Sequence, residues 1–205
     1  MAINITRLTL GTYQENAFIV SAEGRDDCVV IDPGDGLGAL RRAIGAKKLA
    51  AILITHGHFD HTLAAPGLAA EYGAPVYIHP EDREMLTDET LNAYDPWAAH
   101  LPSPRNVETV DFGESLSVAG LDFQILHTPG HSRGCVCLYL PGEATLFSGD
   151  TLFEAGYGRM DLFGGNVDDM RASLKKLFAL PGEIKVWPGH GDETTIARER
   201  ARYRL

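Results

Sequence analysis

The sequence predicts an α/β protein of the α+β kind, with two mixed β-sheets sandwiched between helices. Three observations lead there. Short apolar runs with strand character recur through both halves of the chain, and helical patterns are interspersed among them. Several of these runs also end at Gly- or Pro-marked turns that carry His or Asp. At 205 residues the chain is long enough for one sizeable core and short for two, so a single domain over residues 1–205 is expected.

Ile3-Asn4-Ile5-Thr6-Arg7-Leu8 alternates as a half-buried strand does, and Ala17–Val20 and Cys28–Ile31 read as two more around the polar turn Glu23–Asp27. Leu37 to Ile44 is a helix candidate, and Leu49–Ile54 a buried central strand. From His61 the chain is expected to be helical as far as Tyr72, with Gly73 as the stop and Pro66 tolerable only near the first turn. Val76–Ile78 reads as a strand and Glu81 to Leu86 as a helical turn or two. Residues 88–106 lack periodicity but carry Tyr94, Trp97 and His100, as either a binding loop or an excursion packed by its own aromatics. Strands are expected at Ser115–Val118, Leu121–Leu126, Cys135–Leu140, Thr145–Phe147 and Ile184–Trp187. Asp168 or Asp169 is the expected cap of a helix whose Met170, Leu174, Leu177 and Phe178 fall on one face, ending at Pro181-Gly182. A charged helix over Glu193–Tyr203 closes the chain.

A net charge of −10 argues against a nucleic-acid groove or an anionic membrane as partner. The start lacks a basic region followed by a long apolar stretch, and no run approaches a membrane span. With three cysteines read as reduced core residues, a cytoplasmic protein is expected.

The central feature is Thr55-His56-Gly57-His58-Phe59-Asp60-His61, directly after the Leu49–Ile54 strand. His56 and His58 are two apart on extended backbone, so both imidazoles can leave the strand end in one direction. Asp60 and His61 follow in the next turn, where they can face a point beside the first pair. His131, Asp150 and His190 each follow a strand-like run at a Gly-containing turn. Five His and two Asp are too many for one tetrahedral ion, whereas two divalent metals about 3.5–4 Å apart would use them all. On that count His56, His58 and His131 form one site, Asp60, His61 and His190 a second, and Asp150 bridges. Such a pair acidifies a shared water toward neutral pH, giving a hydroxide nucleophile without Ser or Cys. A mixed His/Asp set suits zinc, while iron and manganese also accept it. His79, His100 and His127 fall outside the pattern. Asp32 is either a turn residue or an acceptor that fixes a ligand tautomer.

The set His56-x-His58-x-Asp60-His61, His131, Asp150, His190 resembles the metallo-β-lactamase superfamily. Thr128–Ser132, Phe147–Phe153, Gly158-Arg159-Met160-Asp161 and Pro188–Gly191 resemble its glyoxalase II (hydroxyacylglutathione hydrolase) branch, of the short bacterial type. The resemblance implies an αββα sandwich with the metals at one edge, and hydrolysis of a thioester such as S-lactoylglutathione by a metal-bridging hydroxide. Asp60 would orient that hydroxide. Arg159, with Asp161 and Arg133, would contact the substrate, a glutathione thioester. No counterpart of the helical glutathione-binding domain of the longer enzymes is expected, and Asp161 stands where they place an aromatic. The same residues also fit a mono-iron oxygenase of the persulfide dioxygenase type, or another hydrolase of this fold.

Overall fold

The computed structural model describes residues 2–103 and 107–203. Two six-stranded sheets face one another. The first runs in chain order, β1 (Ile3–Leu10), β2 (Glu15–Ala22), β3 (Asp27–Ile31), β4 (Lys48–Leu53), β5 (Val76–Ile78) and β6 (Thr109–Asp111). Its first three strands are antiparallel neighbours, and from β3 onward the pairing is parallel. The second comprises β7 (Ser115–Val118), β8 (Leu121–His127), β9 (Val136–Leu140), β10 (Thr145–Gly149), β11 (Lys185–Pro188) and β12 (Thr194–Thr195), again in chain order. Only β10 and β11 are parallel in that sheet. Both sheets are therefore mixed, as expected.

Strand alternation explains the layering. Phe18, Val20, Val29, Ile31, Ala51 and Leu53 point from the first sheet onto Phe123, Leu138, Leu140 and Phe147 of the second. The intervening Ile19, Val30 and Ile52 point the other way, where α1 (Leu37–Ile44) and α2 (Ala65–Tyr72) cover them with Leu40, Ile44 and Leu68. Across the second sheet Cys137, Tyr139, Leu146 and Val186 meet Met170, Leu174 and Leu177 of α3 (Val167–Phe178) and Ile196 of α4 (Ile196–Arg202). A strand buried on both faces reads as a continuous apolar run, which is why β2, β3 and β4 look so plain in the sequence.

Four elements depart from expectation. The helix after His61 is broken: a 3-10 turn spans Phe59–His61, and α2 starts only at Ala65. Pro66 decides this, because it has no N–H to donate and fits only in the first turn. Gly73 stops the helix in the left-handed conformation, φ 65°. Asn166, not Asp168 or Asp169, caps α3, its side chain accepting from Asp169 N–H at 3.0 Å. The C-terminal helix starts at Ile196 rather than Glu193, because Thr194 first pairs with Val186 and Thr195 then caps the helix. The strand Thr109–Asp111 was not expected. Residues 88–103 form turns without a strand, and residues 104–106 of that loop lie outside the described residues. Cys28, Cys135 and Cys137 are buried free thiols. Among the described residues no helix is long and apolar enough to cross a membrane.

Candidate metal centre

The ligand loop leaves β4 under the control of a carboxylate on the neighbouring strand end. Asp32, just past β3, adopts φ 45° and accepts hydrogen bonds from Thr55 N–H (2.7 Å) and Thr55 Oγ1 (2.6 Å). The same Asp32 lies 3.1 Å from His61 Nδ1, so it supports the loop at both ends. Asp82, fully buried in the 3-10 turn Pro80–Leu86, holds the middle and reaches a second loop. It accepts from Gly57 N–H (3.0 Å), Ser132 Oγ (2.5 Å) and Gly134 N–H (2.7 Å). One carboxylate thus ties the chain between His56 and His58 to the chain just after His131.

The seven side chains singled out in the sequence come together. His56, His58 and His131 offer ligand atoms within 4.8 Å of one another, and so do Asp60, His61 and His190. Asp150 lies between the two trios: Oδ1 is 3.4 Å from His61 Nε2, while Oδ2 is 3.4 Å from His131 Nε2 and 3.7 Å from His190 Nε2. Asp60 Oδ2 is 3.4 Å from His190 Nε2 and 3.8 Å from His61 Nε2. Two glycines permit this crowding. A Cβ on Gly189 would stand 2.4 Å from Asp150 Oδ1, and one on Gly158 would stand 2.2 Å from the Asp150 carbonyl oxygen.

The donor chemistry fits cations. His131 Nδ1 donates to the Arg159 carbonyl (2.6 Å) and His190 Nδ1 to the Tyr13 carbonyl (3.1 Å), which turns each Nε2 toward the cluster. Outer partners that fix the tautomer in this way are the usual support of metal-binding histidines. Within the seven-residue cluster three buried polar atoms have no hydrogen-bond partner among the described residues: His56 Nε2, His58 Nε2 and Asp150 Oδ1. Burying such atoms unpaired costs about 1–3 kcal/mol each, and a cation among them removes that cost.

Charge divides the cluster. Burial, and then neighbouring imidazoles, push His56 well below the ordinary histidine range and His58 down to about 3. Burial opposes charge on His61 as well, yet Asp60, Asp150 and Asp32 outweigh it and raise His61 well above that range. His190 is likewise raised against burial by its hydrogen bond to Asp60. At Asp60 itself burial is outweighed by His61 and His190, and the carboxyl is held well below the usual range.

The trios open into a cavity of about 440 Å³ whose lining also includes Tyr13, Phe59, Phe153 and Leu162. Arg159 also lines it, but its guanidinium donates to both oxygens of Asp161 at 2.7 Å on the exposed rim. Arg133 is placed elsewhere, its guanidinium 5.3 Å above the Phe163 ring and outside the cavity lining. Ala93 of the 88–103 loop reaches the cavity, and Tyr94 packs edge-on to Phe59 at 5.7 Å, so this loop forms part of the wall. His100 pairs with Asp35 at 2.7 Å, away from the cluster.

Sequence reasoning overlooked Asp82 and Glu15. Nothing near Asp82 in the chain marks it as a clasp, since its partners are 25 to 52 residues away. Glu15 pairs with His190 in an isolated β-bridge and is buried with neither oxygen partnered. Burial raises its carboxyl well above the usual range.

Residues 10–190 match the family model described as the metallo-beta-lactamase superfamily. An uncharacterised protein of Mycobacterium leprae is 40% identical over 96% of this chain and 95% of its own length. The hydroxyacylglutathione hydrolase of Aeromonas hydrophila is 32% identical over 96% of this chain and 68% of its own length. Among solved structures, the B3 metallo-beta-lactamase BLEG-1 superposes with a TM-score of 0.89 at 35% identity, covering 97% of each chain. TTHA1623 in a di-iron-bound form gives 0.83 at 42% identity, covering 95% of this chain and 96% of its own. ETHE1 from Myxococcus xanthus gives 0.75 at 28% identity, covering 96% and 81%. With the αββα sandwich and the His/Asp cluster at its edge, these matches establish that the chain belongs to the metallo-beta-lactamase superfamily, whose members are mostly metal-dependent hydrolases.

Proposed function

We propose that this chain is a dinuclear metal-dependent hydrolase of thioesters, with hydroxyacylglutathione compounds such as S-lactoylglutathione as its substrates. The observation that carries the reading is the pair of ligand trios joined through the two oxygens of Asp150. The choice of thioesters is supported by the likeness to the Aeromonas hydrophila hydroxyacylglutathione hydrolase. His56, His58 and His131 would hold one cation and Asp60, His61 and His190 the other, with Asp150 shared. Such cations, zinc or iron, would supply Lewis acidity and acidify a bound water.

The chain's own residues do the rest. Asp60, held ionised, accepts a hydrogen bond from the attacking water and orients it. Asp32 keeps the His61 ring in place. Tyr13, Phe59 and Phe153 exclude bulk water from one side of the cavity. Arg159 can bind a substrate carboxylate only by leaving Asp161, but that pair is exposed and screened by solvent, so the exchange is easy.

Metal analysis of the purified protein beside thiol release from S-lactoylglutathione tests the proposal. About two metals per chain and chelator-sensitive thiol release are expected. Two metals with no thiol release from any glutathione thioester would overturn the thioester reading. The likeness to BLEG-1 supports a second reading, β-lactam hydrolysis at the same site, and nitrocefin turnover without thiol release would select it.

A further inference from the structure

Away from the principal centre, three more ligand-type side chains meet at the surface. His79 directly follows β5 of the first sheet, Glu81 lies in the turn Pro80–Leu86, and His127 ends β8 of the second sheet. The imidazoles of His79 and His127 stack with centroids 4.2 Å apart and planes within 10°. Glu81 Oε2 is 4.0 Å from His127 Nε2. One ligand atom from each of the three lies within 4.8 Å of the other two. His127 Nε2 donates to the Arg133 carbonyl oxygen at 2.8 Å, a bond that a cation on Nε2 would replace.

We propose that His79, Glu81 and His127 form a peripheral binding site for a first-row divalent transition metal, zinc foremost, that fastens the two sheets together at this edge. Two imidazoles and one carboxylate are a borderline donor set, suited to zinc, nickel or copper and poor for calcium. Burial and the neighbouring His127 ring lower the pKa of His79, so it is unprotonated at neutral pH, the form that binds metal. Metal–ligand bonds of about 2.0–2.2 Å set neighbouring donors roughly 3–3.5 Å apart, so the trio must contract by about an ångström and one ring must turn out of the stack to bring both in-plane lone pairs onto the ion. The side chains of His127 and Glu81 are 40% and 55% exposed, and that freedom makes the contraction inexpensive. The nearby cations are engaged elsewhere: Arg83 pairs with Asp111, and Lys176 donates to the His127 carbonyl.

The position gives the site a consequence. Glu81 is the neighbour of Asp82, which clasps both ligand loops of the principal centre. A cation held by Glu81 and His127 would stiffen the segment on which that clasp is built.

The test is zinc stoichiometry by equilibrium dialysis near neutral pH, on the full chain and on His79→Gln/His127→Gln. The wild type is expected to bind about one zinc more than the double variant, with micromolar affinity, and to gain further in melting temperature when zinc is added. Glu81→Gln, at a side chain more than half exposed, gives the same readout should the double variant fold poorly, and is expected to weaken the extra site about tenfold or more. Equal stoichiometry in wild type and variants overturns the proposal. So does an extra zinc that survives both changes, or one taken up only at millimolar concentration. Principal-centre metals are counted alike in every sample, so the result does not depend on the hydrolase reading.

Discussion

The two ligand trios differ in a way that separates their chemistry. His56, His58 and His131 are all imidazole and 0–4% exposed. Asp60, His61 and His190 mix charge types and are unevenly buried: His61 is fully buried, but the side chains of His190 and Asp60 are 26% and 18% exposed. In the metal-free chain the first trio contains two imidazoles held neutral by burial, while the second stores protons on His61 and His190 beside its carboxylates. The trio at the rim therefore has to shed protons to take a cation, and the buried one needs to shed few. Their direct supports differ as well, although Asp32 also holds Thr55 at the start of the shared loop. Asp82 braces the buried trio through Gly57, Ser132 and Gly134, whereas Asp32 braces the rim trio through His61.

The harshest way to break the distinction is Asp150→Ala, which removes the group both trios face. Loss of an outer partner already costs about 10–100-fold in metal affinity or activity, so loss of this shared ligand is expected to cost more than about 100-fold in kcat/KM. Metal content should also fall below two per chain. Elemental analysis with steady-state kinetics checks this, and near-normal values for both would show that the trios do not share Asp150.

A gentler change sharpens the comparison. Asp82→Asn cannot accept from all three of its donors, so the buried trio should lose about 10–100-fold in metal affinity while the rim trio is less affected. Asp32→Asn should show the reverse preference. Chelator competition resolving two binding steps decides it, and equal weakening of both steps by each variant would abolish the division of labour.

The smallest effect is the pH dependence of loading. His61 and His190 are raised above their ordinary value, so protons compete increasingly for the rim trio as pH falls. His58, lowered to about 3, stays available to far lower pH. Stoichiometry should drop from about two to about one as pH falls, and loss of both metals in a single step would contradict the picture. Stability of the metal-free chain carries the opposite signs. Neutral burial of His58 contributes above pH 6.5 and is lost as pH falls toward about 3. The contribution of His61 is present below 6.5 and is lost as pH rises through its elevated value.

Much of this was legible because local pattern and final role coincide. Leu37 to Ile44 forms α1 with the bounds that its apolar spacing suggests, and the ligand loop declares itself through four donors in six positions. Where the deciding partner is distant, the sequence is silent. Thr109–Asp111 is three residues long with a polar face, and it becomes a strand only because β5 offers it a parallel edge. Asn166 outcompetes the acids beyond it because a cap must precede the first turn, while Asp168 and Asp169 already lie inside it. His79 and His127 each look incidental, and only the docking of one sheet on the other makes them neighbours.

The route by which the principal donors assemble bears on how the chain folds. His56, His58, Asp60 and His61 belong to the first sheet, while His131, Asp150 and His190 belong to the second. A nascent chain can offer a cation only the early loop, so tight capture has to await the late strands. The ion would therefore act as a latch on a finished structure rather than a seed for it, and starving cells of metal would lower the protein's durability more than its rate of folding.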